Sequence, residues 1–119
     1  MKALFVLLVF ATSAGAATNG YKCREAGLQQ EMNACAEDAF AAADKELNKV
    51  YKSLKASLSM SQQNQLLENE RAWLKDLDAN CRQAANDEAE GGSMWPMVFW
   101  RCKADETNAR IITLRNWKR

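Results

Sequence analysis

Residues 28–58, LQQEMNACAEDAFAAADKELNKVYKSLKASL, decide the fold. Leu28, Met32, Cys35/Ala36, Ala39/Phe40, Ala43, Leu47, Val50/Tyr51, Leu54 and Leu58 recur at steps of three and four. That is the 3.6-residue period of an amphipathic helix, sustained for about eight turns. Glu37, Asp38, Lys45, Lys49 and Lys52 fall on the opposite face. The spacing predicts one long helix over 28–58, with an apolar stripe that must be covered by other elements.

Downstream, Ser59-Met60-Ser61-Gln62 breaks and restarts the pattern. Ser59 followed three residues later by Gln62 is a capping box, in which each residue's side chain satisfies a backbone N–H of the other. Leu66, Glu70, Trp73, Leu77, Cys81 and Ala84 form the next stripe, widened by Leu67 and Leu74, and predict a helix over 61–87. Glu70 is a polar intrusion, expected at the edge of that stripe. Glu90-Gly91-Gly92-Ser93 then stops the helix. The glycines supply the backbone freedom, and Ser93 is expected to cap a third helix over 94–116. Pro96 suits its first turn, where the missing N–H costs nothing. A weaker stripe of Val98, Cys102, Asp105, Ala109, Ile112 and Trp117 follows. No strand alternation, internal repeat or low-complexity linker appears. The expected fold is all-α: three helices joined by short turns, antiparallel neighbours, stapled by two disulfides.

Upstream, Met1-Lys2 is a short positive segment, Ala3–Ala11 is an apolar run, and Ala14-Gly15-Ala16 is a small-x-small cleavage pattern. These mark residues 1–16 as a signal peptide and 17–119 as one helical domain. The apolar run is shorter than the roughly 20 residues a membrane anchor needs. No cysteine stands at the cut to carry a lipid. The expected location is periplasmic or secreted. Lys2 is the one basic residue removed, so the formal charge of +1 for the whole chain falls to zero. No basic stripe for nucleic acid stands out, although Arg115, Lys118 and Arg119 make a small basic end.

An even set of cysteines, Cys23, Cys35, Cys81 and Cys102, is expected to pair in an oxidising compartment. Cys81 lies ten residues before Gly91 and Cys102 ten residues after Gly92. Helices of equal rise bring those two level, which favours Cys81–Cys102 with Cys23–Cys35. The alternative pairing is Cys35–Cys81 with Cys23–Cys102. Without histidine or a CxxC pair, no metal site is expected.

The same absence of histidine removes the commonest acid–base group and the Ser-His and Cys-His nucleophile systems. Paired carboxylates can support a glycosidase, and Glu37/Asp38, Asp76/Asp78 and Asp87/Glu88/Glu90 are the candidate groups. They sit on polar faces or at a helix end and read as solvated charge. No catalytic residue and no cofactor are expected. Two other groups carry polar or aromatic character. Asp44, Asn48, Trp73 and Arg110 lie near the apolar stripes and read as an internal polar network that fixes register. Trp95, Phe99 and Trp100 crowd the start of the third helix, beside an acidic, flexible rim of Glu88, Glu90, Gly91, Gly92 and Ser93. They read as a core plug or as an anchor for a protein partner.

Gln30-Glu31-Met32-Asn33-Ala34-Cys35-Ala36 followed by Ala43-Asp44-Lys45-Glu46-Leu47-Asn48-Lys49-Val50-Tyr51 resembles the start of the lysozyme inhibitor LprI-like N-terminal domain family. Glu70-Arg71-Ala72-Trp73, Asp78-Ala79-Asn80-Cys81, Gly91-Gly92-Ser93, Cys102 and Thr107-Asn108-Ala109-Arg110 continue the likeness in order, from Cys23 to Leu114. The resemblance implies an exported, disulfide-bonded helical domain. It also implies a protein partner, lysozyme being the most concrete. Two further readings stand beside an inhibitor: an envelope interaction protein with another partner, and a hydrolase using surface carboxylates. The family's recurring Asp44, Asn48, Trp73 and Arg110 positions serve the fold in this reading.

Overall fold

The computed structural model describes residues 20–119; the signal peptide expected at 1–16 lies outside the described residues. Three helices follow an irregular lead-in: α1 (Gln29–Ala56), α2 (Met60–Ala89) and α3 (Trp95–Arg115). There is no strand among the described residues. The helix ends obey the sequence signals where those are local. At the start of α2 the Gln62 N–H donates to Ser59 Oγ at 3.3 Å, and the Ser59 N–H donates to Gln62 Oε1 at 3.0 Å. Gly91 adopts φ of +71°, which side chains disfavour, and turns the chain out of α2.

Ser93 does not cap α3. The helix begins one residue later, with Met94 as its N-cap, no side-chain capping bond, and Pro96 in the first turn. The Ser93 carbonyl is turned toward α1, where it accepts Asn33 Nδ2–H at 3.0 Å.

α3 is the shared partner. It packs along both other helices, whereas the backbones of α1 and α2 scarcely approach each other. α1 and α3 run parallel: Asn33 meets Ser93, Phe40 meets Trp100 with ring centroids 5.3 Å apart, and Glu46 meets Arg115. α2 runs antiparallel to both. The expected directions hold, but α1 and α2 meet through side chains near their shared turn and not along their backbones. Small residues explain the preference. Ala34, Ala36 and Ala43 on α1 and Ala104 on α3 are all buried, and they let these helices come close.

Two apolar clusters result. Leu47, Leu54, Leu58, Leu66, Ile111 and Leu114 fill the end near the α1–α2 turn, with Tyr51, Trp73 and Trp117 against them. Leu77, Cys81, Ala85 and Phe99 fill the α2–α3 hairpin end. Each buried leucine contributes about 1.5–3 kcal/mol relative to exposure. The disulfides are Cys23–Cys35 and Cys81–Cys102, with Cα atoms 4.4 and 5.5 Å apart. The first ties the lead-in to α1; the second joins α2 to α3.

Candidate functional site: a cleft at the α2–α3 hairpin

The aromatic cluster at the start of α3 divides. Trp95 and Trp100 both touch Phe99, with centroids 5.0 Å away in each case, but they leave it in different directions. Trp95 stacks on Phe99 at 18° and its indole N–H donates to Asn86 Oδ1 on α2 at 2.8 Å. Trp100 turns toward Phe40 on α1. Both are half-buried. They brace the hairpin end and do not form a joint exposed anchor.

Of the acidic rim, Glu88 enters a concave feature and Glu90 does not. Glu90 is exposed at the C-cap of α2, and Gly91, Gly92 and Ser93 form the exposed turn beside it. Glu88 lines a cleft of about 470 Å³ between α2 and α3. Met97, Val98 and Cys102 provide apolar wall, and Met94, 47 % exposed, stands at the mouth. Asp105, Glu106 and Arg101 complete the polar lining. Met94 adjoins the aromatic cluster in the sequence, whereas Arg101 and Glu106 draw no attention singly. Their signal is helical spacing: 94, 98, 101 and 105 share one face of α3, and that face lies beside the end of α2.

The polar residues near the stripes form two separate groups. On one side, Arg110 Nη2 donates to Glu70 Oε2 at 3.3 Å, with side chains only 7 % and 11 % exposed. The Arg110 guanidinium also lies over Trp73 at 5.4 Å and near Trp117 at 5.9 Å. Burial pushes the Glu70 carboxyl above its ordinary value, and the Arg110 charge and hydrogen bond pull it back. Glu70 is thus inside the core, not at the stripe's edge. The antiparallel register set by Cys81 and Cys102 places it one turn from alignment with Arg110, which was a readable signal.

On the other side, Lys103 projects from α3 into the gap between α1 and α2. Its ammonium lies 4.7 Å from the Phe40 ring, 5.2 Å from Phe99 and 5.3 Å from Trp100. Burial lowers its pKa, against the opposing pull of Asp78 and Asp44. Asp44 is half-buried here, whereas Asn48 is exposed. Glu37, expected on the solvent face, is 9 % exposed; burial first and then Asp38 raise its pKa. Metal-type ligand atoms converge only at Cys23, Glu25 and Cys35 among the described residues, and there both sulfurs are joined to each other.

A family model described as lysozyme inhibitor LprI matches residues 22–114. The chain belongs to the lysozyme inhibitor LprI family. The match includes all four cysteines and all three helices but for the last residue of α3. A protein of Rhizobium meliloti (strain 1021), described as uncharacterized, is similar to this LprI-family chain at 33 % identity over 126 residues. That alignment covers 95 % of this chain and 90 % of the relative. No solved structure matches significantly. Among the described residues, no helix is long and apolar enough to cross a membrane.

Proposed function

We propose that this LprI-family chain is an extracytoplasmic protein that inhibits a muramidase of the lysozyme type by direct contact, without catalysis of its own. The observation that carries the reading is the α2–α3 cleft. It joins an apolar wall to three carboxylates, Glu88, Asp105 and Glu106, with Arg101 the one cation in its lining. Lysozymes are often strongly basic, and such a surface suits an acidic, partly apolar depression. The charge balance of the surrounding segment adds to this. Residues 78–106 hold Asp78, Asp87, Glu88, Glu90, Asp105 and Glu106 against Arg82, Arg101 and Lys103. A chain whose formal charge is only +1 in sum therefore presents an acidic end able to steer a cationic partner.

Family membership supports the inhibitor reading, and a disulfide framework without free cysteines supports a location outside the cytoplasm. The absence of histidine and of any free thiol supports binding over nucleophilic catalysis. Glu88, Glu90, the Gly91-Gly92-Ser93 turn and Trp95 belong to the proposed contact surface. Trp95 acts there through its bracing of the hairpin, and Trp100 does the same from the α1 side.

The test is a cell-wall lysis assay with oxidised protein in molar excess over lysozyme. Lysis should slow, less so at high salt because exposed charges are screened. Glu88→Lys with Glu106→Lys should weaken inhibition about tenfold or more while leaving the helical spectrum unchanged. Full lysozyme activity beside an excess of folded protein would reject the reading. Isolation of a stable envelope complex lacking any muramidase would transfer it to a different partner.

A further inference from the structure

The far end of the molecule has the opposite charge. The parallel ends of α1 and α3 bring Lys49, Lys52, Lys55, Arg115, Lys118 and Arg119 to one region, opposed by Glu46 and by Glu68 of α2. A cavity of about 310 Å³ opens between the final turns of α1 and the end of α3. Lys49, Arg115 and Arg119 line it, and no acidic side chain does. Leu54 is buried at its floor, and Val50 and Trp117 are half-buried walls.

The ends of two helices attract some positive charge by themselves. Each carries the equivalent of about half a negative charge. Three cations in one lining exceed that. Arg115 spends one donor on Glu46 at 3.1 Å and keeps the rest of its guanidinium fork. Lys49 and Arg119 form no ion pair among the described residues. Trp117 is held in place, because its ring also meets the buried Arg110. The lining is thus a cationic rim over a fixed apolar wall.

We propose that this cavity is a second binding site, for a compact oxyanion, phosphate or carboxylate, carried on an apolar stem. The stem lies against Trp117 and Val50. The oxyanion meets Lys49 and Arg119 and takes paired hydrogen bonds from Arg115, the geometry that suits guanidinium to phosphate and carboxylate. The site is remote from the α2–α3 cleft and does not depend on any muramidase.

Isotope-labelled oxidised protein titrated with hexyl phosphate, hexanoate, hexanol and inorganic phosphate tests it by chemical shift. The Trp117 indole N–H, assigned with Trp117→Phe, should move with hexyl phosphate or hexanoate. Whichever of the two binds more tightly identifies the headgroup. Hexanol and inorganic phosphate should each bind about tenfold more weakly or not at all. Lys49→Glu with Arg119→Glu should cost about tenfold or more in affinity for the anionic ligand, whereas Glu88→Lys should leave it unchanged. Equal binding of hexanol and hexyl phosphate, or full affinity in the charge-reversed variant, would overturn the proposal. Attachment to anionic vesicles without uptake of the soluble anions would overturn it as well, because a surface and not a cavity would then be responsible. Loss of lysozyme inhibition has no bearing on these readouts, so the two sites fail separately.

Discussion

Arg110→Met is the most informative single change in the core. It removes the guanidinium that faces Glu70 at 3.3 Å and leaves a carboxylate whose side chain is 11 % exposed. Breaking one side of a buried pair costs about 3–5 kcal/mol, because the remaining charge stays desolvated. The loss of stacking on Trp73 adds a share of about 0.5–1 kcal/mol. A domain of this size has only about 5–15 kcal/mol in total, so a third or more of its stability is at stake. Urea unfolding followed by circular dichroism reads this directly. With a slope of about 1–3 kcal/mol per molar, the midpoint should fall by on the order of 2 M. Glu70→Leu combined with Arg110→Met removes both charges and should return to within about 1 kcal/mol of the parent, or exceed it. The pH dependence has a definite sign. Burial raises the folded-state pKa of Glu70, and Arg110 opposes that rise. Between the ordinary carboxyl value and the raised one, the folded chain holds a proton that the unfolded chain has released. Stability therefore falls as pH rises through that window. Without Arg110 the window widens, so Arg110→Met should be weakest near neutral pH and recover toward pH 4. A single variant within 1 kcal/mol of the parent at pH 7, or a double variant as weak as the single, would refute the reasoning.

Two other changes probe the same framework. The Tyr51 hydroxyl is buried without a hydrogen-bond partner, beside Glu70 and Arg110, so Tyr51→Phe should be neutral or stabilise by up to about 1 kcal/mol; a loss of more than that in urea unfolding would show that the hydroxyl is satisfied in solution. The Cys81–Cys102 bond spans 21 residues and joins two packed helices, whereas Cys23–Cys35 spans 12 and holds an exposed lead-in. Loop closure assigns about 3 kcal/mol to the first. Replacing that pair with alanine should lower the melting temperature by on the order of 15 °C, and the lead-in pair should cost less. Calorimetry giving the reverse order would contradict this.

What was legible in the sequence was local or periodic. The helix pattern, the Ser59/Gln62 box and the turn at Gly91 are properties of neighbouring residues. The Cys81–Cys102 pairing needed only equal distances from one turn. What escaped depends on which helix lies opposite which. Short turns suggested that α1 and α2 pack together, but the small residues Ala34, Ala36 and Ala43 draw α1 to α3. Glu37 adjoins exposed Asp38 on a helix face that also carries Lys45, and its burial at 9 % exposure is not written in that local charge pattern. The tryptophans read as a core plug or an anchor, and Trp95 and Trp100, five residues apart on α3, leave Phe99 in directions about 140° apart around the helix. The concave face also uses Arg101 and Glu106, which look unremarkable singly and join Met94 only once α2 and α3 are side by side.

That α3 is the main partner of both longer helices bears on how the chain acquires its shape. Until residues 95–115 are present, each earlier helix lacks its main packing partner, so assembly is gated by about the last fifth of the polypeptide. A chain threaded through a translocation pore N-terminus first would stay open throughout the passage, because its keystone arrives last. The Cys23–Cys35 link closes within a short span and can form while the rest is still in transit, whereas Cys81–Cys102 records that the keystone has seated.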